Sequence, residues 1–234
     1  MATLYVIATP IGNLEDITLR AVRTLGEVDA LACEDTRRTR VLLQRHDIPR
    51  AKTTFSYHEH NEEQAARRVV ELLDSGATVG LVTNAGYPGV SDPGYRAISS
   101  ALQAGHEVVA LPGAGAVETA LAASGLPAVS FTFKGFPPKK PGKRRKFLEL
   151  DATLPHTLIF YESPQRTGVL LADALEVYGD RRAAVCVELT KKFERVARGW
   201  LADLARDFAD AKIKGEVTVV IAGANEKFLR RPAP

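Results

Sequence analysis

Apolar residues recur along this chain in short runs, each closed by small or polar residues and followed by a stretch with apolar positions three and four apart. That alternation predicts buried strands interleaved with amphipathic helices. In the first half, strands are expected at residues 4–9, 28–33, 53–57, 79–82 and 107–111. Helices are expected between them: one carrying Ile17, Leu19, Ala21, Val22 and Leu25 on one face, then residues 37–46, a helix running through Leu73, and residues 95–103. Five strands alternating with helices imply a mostly parallel sheet with helices on both faces. This first α/β domain is expected over residues 1–115. A second set begins at Ser130, with strands at 130–133, 157–161, 183–189, 194–200 and 216–222 and helices at 165–178 and 201–209. A helix joining two strands in that tail points to a mixed sheet. The second α/β domain is expected over residues 116–234.

The run Val79, Gly80, Leu81, Val82 opens into a loop over residues 83–94, punctuated by Gly86, Pro88, Gly89, Pro93 and Gly94. Most connections from strand to helix take about 2 to 6 residues, so this one is long. Open α/β sheets bind ligands where loops leave the carboxyl ends of their strands. Glycines without a Cβ let backbone groups approach a ligand, and prolines limit how far the loop rearranges. Similar turns follow the first strand at Pro10, Ile11, Gly12 and Asn13, and the fifth at Pro112, Gly113, Ala114, Gly115 and Ala116. The first lacks the GxGxxG spacing, so no dinucleotide fingerprint is read there.

Polar groups at strand ends are candidates for chemistry. Glu34, Asp35, His58, Glu162 and Lys191 hold such positions, and each has a structural alternative. Asp35 and Thr36 are placed to cap a helix, as is the Glu162, Ser163, Pro164 segment. Asn61 with Gln64 three residues on resembles a capping box. His58 and His60 lack a third ligand at metal-binding spacing, and no metal is expected.

A composition 45% hydrophobic and 25% charged is that of an ordinary folded chain, and the net charge of +3 does not by itself announce a nucleic acid. Its distribution says more. Between Lys134 and Lys146 there are seven basic residues and no acidic one, interleaved with Phe136, Pro137, Pro138, Pro141 and Gly142. The stretch reads as a mobile arm suited to phosphate contacts, through Lys139, Lys140, Lys143, Arg144, Arg145 and Lys146. Cys33 and Cys186 lie inside separate apolar runs and are expected as buried thiols in a reducing compartment. The apolar stretch near the N-terminus is too short for a signal peptide or membrane span, which leads to a cytoplasmic protein without a membrane partner.

Taken in order, ATPIGN (8–13), CEDTR (33–37), YHEHNE (57–62), TNAGYPGVSDPG (83–94), PGAGA (112–116), GF with the basic arm (135–146), FYESPQR (160–166), ELTKKFE (188–194) and KGE (214–216) form a set that covers nearly the whole chain. It resembles the ribosomal RNA small subunit methyltransferase I family, within the tetrapyrrole methylase superfamily. The resemblance implies two α/β domains with S-adenosyl-L-methionine held in a cleft between them, a homodimer, and methylation of the ribose 2′-hydroxyl of a cytidine in the decoding region of 16S rRNA. It implies cofactor contacts from Pro10; from Thr83, Asn84, Ala85, Gly86, Pro88 and Asp92; from Pro112, Gly113, Ala114 and Ala116; and from Phe160 and Gly215. The family usually has Ser-Asp-Ala-Gly-Thr-Pro where this chain has Thr83, Asn84, Ala85, Gly86, Tyr87 and Pro88. Asn84 cannot carry negative charge or accept a proton as a base. Two alternatives therefore stand beside the methyltransferase reading: a cofactor- or RNA-binding module with altered catalysis, and a methyltransferase acting on a tetrapyrrole or other small molecule.

Overall fold

The computed structural model describes residues 2–230. The chain divides into two compact units, Met1–Gly115 and Ala116–Pro234.

The first unit is built on β1 (Thr3–Ile7), β2 (Ala30–Cys33), β3 (Thr53–Ser56), β4 (Val79–Val82) and β5 (Glu107–Leu111). They pair in the order β3-β2-β4-β1-β5, every pairing parallel. Successive strand residues point to opposite faces, and the core divides accordingly. Leu4, Ala30, Ala32, Phe55, Val79 and Leu81 pack against α3 (Glu62–Asp74) and α4 (Tyr95–Gln103). Ile7, Leu31, Cys33, Val82 and Leu111 pack against α1 (Leu19–Glu27) and α2 (Thr36–Arg45). A parallel strand covered on both sides must be apolar throughout, and β2 and β4 are buried at every position. Gly80 belongs to that packing, because a Cβ there would lie 2.9 Å from Leu31 Cδ1.

Several local features differ from the sequence reading. β1 stops at Ile7, because Thr9 leaves the ladder to bridge Gly86. Asn13 caps a short 3-10 turn, so α1 starts later, at Leu19, behind the Thr18 hydroxyl cap. The Asn61–Gln64 capping box does not form: Asn61 instead accepts from His58 N with Oδ1 and donates from Nδ2 to Ser56 O.

The second unit carries β6 (Phe131–Phe133), β7 (Thr157–Glu162), β8 (Arg182–Val187), β9 (Arg195–Trp200) and β10 (Val217–Ile221), in the order β6-β7-β10-β8-β9. Only β6 and β7 run parallel; the other pairings are antiparallel, which makes the sheet mixed. One face packs on α6 (Pro141–Glu149), α7 (Thr167–Tyr178) and α8 (Leu201–Phe208). Helix α5 (Ala116–Ser124) packs against β8 and β10.

The basic stretch is not a mobile arm along its whole length. Residues from Pro141 onward form α6, with proline at the first helical position, where its missing N–H costs nothing. Arg144 is fully buried, and its Nε donates to Asp173 Oδ2 at 2.6 Å. Arg145 meets the other oxygen of Asp173 at 2.9 Å and Glu176 at 2.9 Å. Arg144 is thus unavailable to RNA, and Arg145 is engaged. Lys139, Lys140, Lys143 and Lys146 remain exposed.

Candidate active site

Because all five strands of the first sheet run the same way, their carboxyl ends meet at one edge. In sheet order this edge presents His58 beyond β3, Glu34 beyond β2, Asn84 beyond β4, Thr9 and Pro10 beyond β1, and Pro112 and Gly113 beyond β5.

The long loop after β4 is fastened along its length. Thr9 and Gly86 exchange both backbone hydrogen bonds, at 3.0 and 2.9 Å, and the Thr9 hydroxyl donates to Thr83 O at 3.1 Å. The Glu34 carboxylate accepts from Asn84 N at 2.9 Å. At the far end, Glu62 Oε1 accepts from Gly94 N, and the Tyr57 hydroxyl accepts from Ala97 N while donating to Glu62. These bonds satisfy amides at the start of α4 that would otherwise lack partners. Burial of the Tyr57 phenol pushes its pKa up, so it stays a neutral donor. Gly86 sits at φ +73, where only glycine is at ease. Pro10, Thr83 and Pro88 are buried, Ala85 and Ala114 are half-buried, and Asp92 lies in the exposed tip of the loop.

Two polar atoms at this edge are buried with no partner: Asn84 Oδ1 and His58 Nδ1. A buried acceptor left without a donor carries the cost of its lost water. Asn84 Oδ1 can accept only from a group outside the fold, while His58 Nδ1 can donate or accept according to its tautomer. Gly113 completes the edge. A Cβ there would stand 2.8 Å from Ala8 Cβ, so the turn after β5 can lie against β1 only without a side chain.

Asp35 is a helix cap. It accepts from Arg37 N at 2.8 Å and pairs with the Arg37 guanidinium, which together hold its pKa down to about 2. That carboxylate is committed to α2.

In the second unit, Glu162 closes β7 with its side chain buried and ion-paired to Arg166, and its Oε1 accepts from Ser163 N at 2.7 Å. Lys191 donates to Glu188 Oε1 at 2.6 Å and to Glu216 Oε2 at 2.9 Å. Partial burial works against the Lys191 ammonium, but the hydrogen bonds and charges of those carboxylates outweigh it and raise its pKa. Those two carboxylates hold it as a fixed cation. Gly215, at φ +89, starts the segment into β10, and a Cβ there would run into the Glu188 side chain. Phe160 has its ring wholly buried in the core of this unit, 6.5 Å from Phe147, which leaves only its backbone to face a ligand.

Tyr57, Glu62, Thr9 and the Tyr87 hydroxyl were not singled out from the sequence as parts of this edge. The only local signal for the first pair was an aromatic residue five positions before a carboxylate at a helix start.

Residues 3–205 match the model of the tetrapyrrole (corrin/porphyrin) methylases. The chain is 48% identical over 225 residues to ribosomal RNA small subunit methyltransferase I of Halalkalibacterium halodurans, covering 96% of this chain and 77% of that protein. The proteins of the same name from Mesorhizobium japonicum and Bacillus subtilis are 48% and 42% identical, covering 96% and 97% of this chain and 76% and 77% of theirs. The chain belongs to the ribosomal RNA small subunit methyltransferase I family. Among solved structures, the methyltransferase CobJ superposes with a TM-score of 0.70 at 20% identity, covering 96% of this chain and 95% of CobJ. Uroporphyrin-III C-methyl transferase from Thermus thermophilus, complexed with S-adenyl homocysteine, gives 0.64 at 18%, covering 95% and 97%. At that identity the two structures speak for the fold, which is that of the tetrapyrrole methylases. Among the described residues, no helix is long and apolar enough to cross a membrane.

Proposed function

We propose that this chain transfers a methyl group from S-adenosyl-L-methionine to 16S rRNA in the small ribosomal subunit. The observation that carries the reading is the carboxyl edge of the parallel sheet, where Asn84 Oδ1 and His58 Nδ1 lie buried and unpartnered on either side of Glu34. The cofactor fits that edge: its amine and hydroxyl groups are donors, the orphaned Asn84 oxygen is an acceptor, and Gly86 and Gly113 leave backbone open to close approach. The shared name of the relatives supports the rRNA substrate.

When bound, the cofactor supplies an electrophilic methyl group. The chain's own task is to bring an acceptor oxygen into line with it and to exclude other geometries. Family resemblance supports the ribose 2′-oxygen of a decoding-region cytidine as that acceptor, a homodimer as the working form, and the cytoplasm as its location. A ribose hydroxyl is a poor nucleophile until its proton is drawn off. His58, whose Nδ1 has no partner within the fold, takes that proton, and Glu34 orients the loop that faces it through Asn84 N. The exposed Lys139, Lys140, Lys143 and Lys146 hold rRNA phosphates.

The test is transfer of labelled methyl from S-adenosyl-L-methionine to purified small subunits lacking ribose methylation, with the modified nucleotide mapped. Label at one cytidine ribose supports the reading. Binding of the cofactor without transfer to these subunits overturns it.

A further inference from the structure

We propose that one edge of the second unit's sheet is a platform for unpaired RNA, on which Phe136 and Phe193 stack against bases while neighbouring lysines hold phosphates. The inference rests on the rRNA substrate proposed above and adds the form in which that RNA is taken.

Strands β6, β7 and β8 end, and β9 and β10 begin, at this edge. Phe136 follows β6 and is 56% exposed; Phe193 lies between β8 and β9 and is 75% exposed. Neither ring hangs loose from a bare surface. Phe136 meets Tyr161 edge to face at 5.5 Å, and Tyr161 meets Phe133 at 4.7 Å, a ladder that ends at the exposed ring. Lys192 Nζ stands 5.6 Å from the centroid of Phe193.

The charges around the rings are uneven. Lys139, Lys140, Lys192 and Lys214 are exposed at this edge, and no ion pair holds them among the described residues. Of the carboxylates nearby, Glu162 is met by Arg166 and both Glu188 and Glu216 by Lys191, while exposed Glu194 accepts only from Thr190 N, one acid without an ion pair against four such lysines. The free charge is therefore positive.

Exposed aromatic faces set among unpaired cations match single-stranded nucleic acid, whose bases offer a π-face and whose phosphates need neutralising. A duplex would bring the phosphates but hide the base faces. A second copy of this chain is a poorer occupant, because it would press unpaired lysines into an interface whose centre disfavours them. β6 and β8 are three strand spacings apart, about 14 Å, a distance that a few nucleotides of extended chain cross.

The experiment uses the full chain with a fluorescent 12-nucleotide single-stranded RNA, the same sequence as a duplex, and small ribosomal subunits. Phe136→Ala and Phe193→Ala should each weaken single-strand binding roughly tenfold, leave duplex binding and the salt slope unchanged, and raise the KM for subunits. Phe193→Trp should restore binding. Equal losses on duplex and single strand, or no loss on either, would overturn the platform, as would an altered sedimentation mass in the alanine variants, which would make these rings a protein contact. If the parent methylates subunits and the alanine variants match it in KM, the platform fails while the rRNA reading stands. If the parent methylates no subunit and binds neither RNA, both fail.

Discussion

The Tyr87 hydroxyl accepts a hydrogen bond from Gly113 N at 2.8 Å, tying the loop after β4 to the turn after β5. With Thr9 already bridged to Gly86, the loops of three neighbouring strands are joined into one surface. A threonine at position 87 is too short to replace a phenol that spans to the next turn. Tyr87→Phe keeps the ring and removes only the acceptor. One such bond is worth about 1 kcal/mol, so the dissociation constant for S-adenosylhomocysteine should rise roughly fivefold. Calorimetric titration checks this, with kcat expected to stay near the parent's and the thermal midpoint to fall by only about 2–4 °C.

Asn84 separates a catalytic acid from a binding group. A general base contributes about 10²- to 10⁴-fold, so if a carboxylate were needed at this position, Asn84→Asp would raise turnover by that order. We expect less than a tenfold change, because the buried Oδ1 acts as an acceptor and Glu34 already holds Asn84 N. Single-turnover methylation of small subunits measures it, and a hundredfold gain would make the parent a catalytically weakened form.

His58→Gln tests the proposed proton acceptor directly. The amide keeps a polar group at the end of β3 but cannot take a proton. The expected result is a fall in kcat of about a hundredfold with cofactor affinity unchanged. A matching fall in cofactor affinity would place His58 against the cofactor instead.

How far the sequence spoke for itself varied with the kind of order involved. Val79–Val82, Tyr95–Gln103 and Glu107–Leu111 have the bounds that hydrophobic patterning predicts, since each is delimited by glycine, proline or a change of period. Helix α5 was not predicted: AVETALAAS is too rich in alanine to show a stripe. The α6 sequence reads as a mobile arm because Arg144 looks like surface charge, and only a partner 29 positions away, Asp173, buries it. The same distance rule hides the fastenings of the candidate site. Tyr87 to Gly113 and Thr9 to Thr83 are pairings that local periodicity cannot register.

Arg144 and Asp173 should matter to the fold and the lysines beside them to RNA. Breaking a buried ion pair from one side costs about 3–5 kcal/mol, so Arg144→Met should lower the thermal midpoint by about 10 °C. Lys143→Gln with Lys146→Gln removes exposed charges and should leave the midpoint in place. The lysine pair should instead weaken subunit binding and reduce its salt slope by about 2. Calorimetry and binding titrations at two or more salt concentrations separate the two roles.

Lys191 and Glu188 link the second unit to pH with opposite signs. The Lys191 pKa is raised above its ordinary 10.5, so its stabilisation is complete below that value and is lost as pH climbs through the higher folded one. The hydrogen bond from Lys191 chiefly lowers the Glu188 pKa from 4.5, so its stabilisation is present above that value and is lost as pH falls through the lower folded one. Lys191→Met removes the first linkage and weakens the second, leaving Glu188 the hydrogen bond from Glu216 N. Denaturant midpoints across pH should then be flatter than the parent's at both the alkaline and the acid end. Methyl transfer supplies the second readout: a charged Lys191 titrates on the alkaline side, so Lys191→Arg should keep the neutral-pH rate profile, whereas a lysine acting as base would lose its neutral limb with that change.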